Sequence, residues 1–402
     1  MSSFRKLNIA VACGGTGGHT FPGLATARVL RARGHAVTLW IAGRDIEDQT
    51  VKGWDGPVFK TGARPLRRTP AALAALVRSL VRARRGLGEQ SCDVLLAMGS
   101  YASLPPVLAA RLARVPVVLH EANAIPGKAV AFLSRFAAAT AISFSESASW
   151  LPQARVVQTG LPVRTELCGQ TPLDGFRQPE GFTVFVTGGS QGAHVLNQVC
   201  STTLAAWGRA HPAAALRVIH QTGAADEASV RAVYAEAGTD AQVFAFLGEM
   251  GRAFSAADLV IGRAGAATCA ELCLCGVPAL LVPLPTAVRD HQRANAAHLA
   301  GAGAAECCPQ ADFTPAWLTD FLDRIASDAP RRQAMRASAL ALAVPDAAQR
   351  LADLVVMKLI MGAGITACES RSPLPGAAGT AERGHFNATT LNVHQTAAGN
   401  LA

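Results

Sequence analysis

Charged residues are scarce in this 402-residue chain, 16% against 50% hydrophobic. That balance excludes disorder as a description of the whole and favours buried parallel sheet over exposed meander. No stretch approaches the roughly 20 uninterrupted apolar residues that span a bilayer, because Arg78, Arg111 and Arg114 break the best candidates. A secretory leader is not expected: Arg5 and Lys6 precede the apolar run Leu7–Cys13, but that run ends in glycines and not at a small-residue cleavage site. None of the ten cysteines stands in C-x-x-C spacing, so buried reduced thiols are expected in place of a zinc or redox site. No D-x-D pair is available to hold a divalent cation; neither a metal site nor a cofactor is expected.

The length suits two domains of roughly 150–200 residues with some sequence left over. A formal charge of +9, mostly from arginine, points to an anionic partner: nucleic acid, a phosphate-bearing substrate or an acidic lipid surface. The order of elements narrows the fold. Strand Leu7–Cys13, a helix from about Phe21 to Arg33 closed by Gly34, and strand Ala36–Ile41 come first; strand Asp93–Met98, helix Leu104–Arg114 and strand Pro116–His120 follow. The pattern restarts with strand Phe182–Thr187 and helix Ala193–Trp207, then strands at Arg217–His220, Val243–Phe246, Asp258–Gly262 and Pro278–Pro283. Alternation of this kind predicts parallel sheets with helices on both faces, hence an α/β chain with two doubly wound, Rossmann-like domains. Turn formers cluster at Gly160–Pro172, which places the junction there. The expected layout is residues 1–163, residues 164–361 and a disordered tail, 362–402, where Gly, Ala, Ser, Thr and Asn replace the periodicity.

Each half opens on a strand, a glycine turn and a helix start: GGTGGHTFPG (Gly14–Gly23) and GGSQGA (Gly188–Ala193). Glycine is needed where backbone amides approach a phosphate or sugar, and the helix N-terminus adds a positive dipole. A dinucleotide-binding dehydrogenase is a poor match, since Gly15, Gly17 and Thr20 only approximate G-x-G-x-x-G and strand Ala36–Ile41 does not end in an acidic residue. A third constellation follows strand Asp258–Gly262. There Gly265 and Ala266 allow close approach at a helix start, and Glu271 lies one to two turns in, where a carboxylate accepts both ribose hydroxyls. Gln292 and Asn295, three apart on the next helix, share a face suited to sugar hydroxyls.

The runs GGTGGHTFPGLA, GSYASLPP (Gly99–Pro106), VVLHEANAIPG (Val117–Gly127), TGLPVR (Thr159–Arg164), TGGSQGAHVLN (Thr187–Asn197), HQTG (His220–Gly223) and Arg263–Ala296 closely resemble the MurG family. Its members are the UDP-N-acetylglucosamine:N-acetylmuramyl-(pentapeptide) pyrophosphoryl-undecaprenol N-acetylglucosamine transferases of bacterial peptidoglycan synthesis. The resemblance is collinear from about Leu7 to Ile360. It implies two facing domains of the GT-B type with a deep cleft, and a last helix packing back on the first domain. The first domain would take the acceptor and the membrane, and the second the UDP-sugar. The resemblance puts Ser190 and its glycine neighbours at the donor diphosphate, Arg164 near the donor and Leu247 at the uracil. It carries Ala266, Ala267, Thr268 and Glu271 along the diphosphate and ribose, and Gln292 to the sugar. Thr16, Gly17 and Gly18 would border the donor sugar and the acceptor diphosphate, with Asn123 completing the cleft. The chain departs from the family at Ala122, Leu161 and Ala264, where Gln, Asn and Ser are usual.

The implied reaction is attack of the muramyl 4-hydroxyl on the anomeric carbon, with inversion and loss of UDP. Two bases are open. His19, at a helix N-terminus whose dipole disfavours the imidazolium, can accept a proton near pH 7 or merely hydrogen-bond the loop; Glu121 is the other candidate. The undecaprenyl-linked acceptor calls for a membrane surface, not for nucleic acid. The segment Pro65–Arg85 suits an anionic leaflet: Leu73, Leu76, Val77, Leu80 and Val81 recur at helical spacing between Arg67, Arg68, Arg78, Arg82, Arg84 and Arg85. The same pattern fits a helix packed on the sheet with a solvated basic face. A peripheral place on the cytoplasmic face of the inner membrane is therefore expected. Another GT-B transferase acting on a lipid or small aglycone, a UDP-sugar binder without turnover, and a UDP-N-acetylglucosamine 2-epimerase remain as alternatives.

Overall fold

The computed structural model describes residues 5–15, 17–44, 47, 51–65, 68–163, 165–176, 181–189 and 191–368, with backbone alone at 17, 165 and 358–368. Residues 1–362 form one compact unit and 363–402 another, of which only the helical residues 363–368 are described.

Two sheets follow one another in the first unit. The first contains β1 (Asn8–Ala12), β2 (Ala36–Ile41), β3 (Val58–Lys60), β4 (Val94–Ala97), β5 (Val117–Glu121), β6 (Ala139–Ile142) and β7 (Val156–Gln158), in the order β3-β2-β1-β4-β5-β6-β7. The second contains β8 (Thr183–Thr187), β9 (Arg217–Gln221), β10 (Asp240–Phe244), β11 (Leu259–Gly262), β12 (Ala279–Leu281) and β13 (Ala305–Cys307), in the order β10-β9-β8-β11-β12-β13. Every pairing is parallel, with Ile9 set between Val37 and Val94 in one sheet and Phe185 between Ile219 and Val260 in the other. The strands are apolar on both faces because helices cover both: Ile9 and Val11 enter one core and Ala10 and Ala12 another. Strand order reverses between β1 and β4 and again between β8 and β11. At such switch points the crevice beyond the strand carboxyl ends takes ligands.

The first sheet carries α1 (Gly17–Ala32), α2 (Pro70–Glu89), α3 (Leu104–Ala113) and α4 (Lys128–Leu133). The second carries α5 (His194–Ala210), α6 (Glu227–Ala237), α7 (Met250–Ala256), α8 (Ala266–Cys275), α9 (His291–Gly301), α10 (Pro315–Ala326) and α11 (Ala329–Leu342). The last helix, α12 (Ala347–Cys368), returns to the first sheet: Leu351, Ala352 and Val355 are buried in the cluster that holds Ile9, Val11 and Leu30. Among the described residues no helix is long and apolar enough to cross a membrane.

Some boundaries differ from expectation. Helix α1 starts at Gly17, four residues before Phe21, so His19 lies in its first turn. The Thr20 hydroxyl donates to the Cys13 carbonyl at 2.9 Å and holds that turn close to the strand end, a local contact that outweighs the poor helix propensity of Gly17 and Gly18. Helix α12 runs on to Cys368, past the expected boundary at 361, although glycines stand at 362 and 364. The remainder of the tail, 369–402, lies outside the described residues, as do Thr16, Arg67, Arg164 and Ser190.

Candidate active site

At the end of β1 the chain turns through Gly14 and Gly15, and Gly15 has φ +121. A Cβ there would collide with the Ser100 hydroxyl, so the turn needs glycine on both conformational and steric grounds. The turn delivers Gly17, Gly18 and His19 into the first turn of α1. The His19 ring is half-buried, and its Nδ1 lies 2.9 Å from the Met98 carbonyl beyond β4. A carbonyl only accepts, so Nδ1–H donates and Nε2 keeps its lone pair. Burial lowers the His19 pKa below the ordinary histidine value; His291 acts in the same direction and the Met98 bond opposes both.

Glu121 sits differently. It is buried at the end of β5, with Oε1 accepting from the Asn123 amide at 2.9 Å and its side-chain nitrogen at 3.2 Å. Oε2 accepts from the Gly127 amide at 3.0 Å. Both carboxylate oxygens therefore hold the loop of residues 122–127 in shape. Burial raises the Glu121 pKa, while these bonds favour its charged form.

In the second lobe β8 runs on into Gly188 and Gly189, and Gly192 has φ +74, where a Cβ would collide with the Thr222 carbonyl. The Gln221 side chain ties this turn to the next strand end: Nε2 donates to the Gly189 carbonyl at 2.8 Å and Oε1 accepts from the Leu247 amide at 3.1 Å. The Leu247 side chain is buried in the core, whereas neighbouring Phe246 is 66% exposed. Helix α8 begins at the carboxyl end of β11, capped by Gly265. Cys269, Leu272 and Cys273 are buried in the core and Ala267 packs against it, while Thr268 and Glu271 are half-buried. Ala266, the first helical residue, is buried. Gln292 accepts from the Leu284 amide through Oε1 at 3.0 Å, leaving its NH2 as the donor it offers elsewhere.

Contacts from α9 join the two lobes. Asn295 is fully buried: Oδ1 accepts from the Ala124 amide at 2.9 Å, and Nδ2 donates to Asn123 Oδ1 at 3.2 Å and the Ala264 carbonyl at 3.0 Å. Asn295 is thus a rivet between the lobes, and its amide, expected to share a sugar-facing side with Gln292, is taken up by these bonds. Arg289 donates to the Pro126 carbonyl at 3.1 Å and lies over the Trp150 ring at 4.9 Å. His298 pairs with Glu146 at 2.6 Å. The segment before α9 is held in strain, since Arg289 and Asp290 both have positive φ, 57 and 55, without being glycine.

Both lobes match models of known domains. Residues 9–142 match the glycosyltransferase family 28 N-terminal domain, and residues 183–351 match the glycosyltransferase family 28 C-terminal domain. The chain belongs to glycosyltransferase family 28. Within the family it is 40% identical to a protein of Xanthomonas axonopodis pv. citri, over 87% of this chain and 82% of that one. A protein of Stutzerimonas stutzeri is also 40% identical, over 86% of this chain and 97% of the relative. Both are named UDP-N-acetylglucosamine--N-acetylmuramyl-(pentapeptide) pyrophosphoryl-undecaprenol N-acetylglucosamine transferase. The crystal structure of MurG from Acinetobacter baumannii superposes with a TM-score of 0.70 at 32% identity, covering 86% of this chain and 98% of that one. This family 28 chain is accordingly a glycosyltransferase of the MurG group, with two facing α/β domains.

Two further features of this family 28 chain escaped sequence reasoning. Gln221 stands inside the HQTG run, but its link between the second glycine turn and Leu247 depends on strand neighbours that sequence does not show. His220, beside it, is a core residue: the Tyr234 hydroxyl donates to its Nδ1 at 3.0 Å and its Nε2–H donates to Asn197 Oδ1 at 3.1 Å. The nine cysteines whose side chains are described are free thiols, and burial raises the pKa of Cys13, Cys200, Cys269 and Cys273.

Proposed function

We propose that the chain transfers N-acetylglucosamine from UDP-N-acetylglucosamine to the muramyl 4-hydroxyl of undecaprenyl-pyrophosphoryl-N-acetylmuramyl-pentapeptide, with inversion and release of UDP. The observation that carries this reading is the pair of glycine turns, each followed by a helix N-terminus at a switch point, in a chain 40% identical to transferases of that name. Residues 164–361 are the donor side. The second glycine turn, the N-terminus of α8, Ser190 and Arg164 meet the developing diphosphate charge. Ala266, Ala267, Thr268 and Glu271 line the diphosphate and ribose, Leu247 the uracil and Gln292 the sugar. Residues 1–163 are the acceptor side, with Thr16, Gly17, Gly18 and Asn123 bordering the sugar and the acceptor diphosphate. His19 takes the acceptor proton on Nε2, since its Nδ1–H is held by Met98 and a depressed pKa keeps the ring neutral near pH 7. Glu121 shapes the loop that carries Asn123.

The acceptor side also meets the membrane, as a peripheral contact on the cytoplasmic face. Support comes from α2, where Leu73, Val77 and Val81 are 60%, 51% and 55% exposed beside the exposed Arg78, Arg82 and Arg85. UDP release, measured with and without a soluble muramyl-diphosphate-lipid analogue, tests the function. Release that requires the analogue and yields a disaccharide is expected. Conversion of the donor to its 2-epimer, or no turnover with the analogue, would overturn the proposal.

A further inference from the structure

Glu47 takes no part in the roles above, yet it is buried 32 positions away from the turn it touches. Its Oε1 accepts from the Gly15 amide at 2.6 Å, and its Oε2 accepts from the Gly43 amide at 2.8 Å and the Arg44 amide at 3.2 Å. One carboxylate thus ties the chain leaving β1 to the chain leaving β2. The Arg44 guanidinium closes the same junction from outside, donating to the Gly15 carbonyl at 3.2 Å and the Tyr101 hydroxyl at 3.3 Å. The fit is close: a Cβ on Gly14 would stand 2.6 Å from the Ala42 nitrogen and 3.2 Å from Glu47 Oε1.

We infer that Glu47 is a positioning residue for the acceptor half of the reaction: by holding the Gly15 amide it sets the first glycine turn, and through it the first turn of α1 with His19. This rests on the reading of residues 1–163 as the acceptor side. Because Glu47 occupies the Gly15 amide, an acceptor diphosphate meets the amides at the start of α1 instead. A carboxylate is required because the bridge needs two acceptor oxygens. A glutamine supplies one, and turns an NH2 against an amide donor at the other end.

The test is Glu47→Gln, with three readouts. Turnover with the soluble acceptor analogue should show kcat/KM for the acceptor down about 10²-fold, the scale of a misplaced catalytic geometry. Calorimetric affinity for UDP-N-acetylglucosamine should stay within about twofold, because among the described residues the Glu47 carboxylate bonds only to Gly15, Gly43 and Arg44 of the first lobe. Hydrogen exchange of the Gly15 amide, slow in the unaltered protein, should become fast in the variant. Unchanged acceptor kinetics, or unchanged Gly15 protection, would overturn the inference; so would donor affinity falling in step with acceptor turnover, which marks a general structural role. Should Glu47→Gln fail to fold, Glu47→Asp keeps the charge but not the reach, and the same three outcomes apply. Failure of the functional reading looks different: the unaltered protein would not turn over the analogue, while Gly15 exchange would still respond to Glu47.

Discussion

His19 and Glu121 show how environment assigns roles to two groups that a motif places near one cleft. The His19 ring has one nitrogen committed to the Met98 carbonyl and one with a lone pair, and a pKa held below the ordinary value by burial. Replacing it with alanine is expected to lower kcat about 10²–10⁴-fold with donor affinity nearly unchanged. In the unaltered protein activity should be full above the depressed pKa and fall as pH drops through it. That acid limb should vanish in His19→Ala, as a pH–rate profile will show. Glu121, itself buried, has both oxygens committed to half-buried amides. Glu121→Ala should therefore cost about 1–2 kcal/mol of stability, toward the low end of the penalty for amides left unpaired because water reaches half-buried ones. Urea unfolding checks this. A variant with wild-type stability and no turnover would return Glu121 to the role of base.

Helix α2 is the element whose sequence pattern admitted two readings. Thr69 caps it, accepting from the Ala72 amide at 3.2 Å, and Pro70 occupies its first position. What it buries is a stripe of small residues, Ala75, Ser79, Ala83 and Gly86, with Leu87. A Cβ at Gly86 would stand 2.7 Å from the Phe59 ring, so the small residues let the helix lie close on its lobe. Leu73, Val77 and Val81 consequently point outward among arginines. Periodicity alone named the larger apolar residues as one face but not which way that face turns. Changing Arg78, Arg82 and Arg85 together to glutamine should weaken binding to anionic vesicles by about 1 kcal/mol per residue. It should leave the Tm and turnover of a short-chain acceptor unchanged, since all three are exposed. Loss of both activities together would assign the helix to the catalytic lobe's structure.

For the molecule as a whole, two buried histidines predict how stability follows pH. Burial depresses His120 to about 4 and His220 to about 3, against an ordinary value of 6.5. As pH falls below 6.5 the unfolded chain binds protons that the folded one refuses. Stability should then drop at up to about 1.4 kcal/mol per pH unit for each histidine until the folded pKa is reached. Denaturant titrations at pH 7 and pH 5 should differ by a few kcal/mol, with the less stable protein at pH 5. A flat response would mean that both rings take up protons in the fold as readily as in the unfolded chain, and a response about half as large that one of them does.

Strand–glycine–helix order, repeated twice, was enough to predict two doubly wound sheets, because parallel sheets buried on both faces read as continuous apolar runs. The motifs likewise placed Gly17, Gly18 and His19 at one strand end and Ala266 to Glu271 at another, since these spacings are local. Contacts between residues far apart in sequence were not legible: Glu47 on Gly15, Gln221 on Leu247, Asn295 on Ala124. A carboxylate or amide carries no mark of its partner until strand order and lobe packing bring the two together. For the same reason the tertiary structure alone decided that Asn295 rivets the lobes, that Glu121 shapes a loop, and that the apolar stripe of α2 is divided, with Leu80 packed on the core and Leu73, Val77 and Val81 exposed.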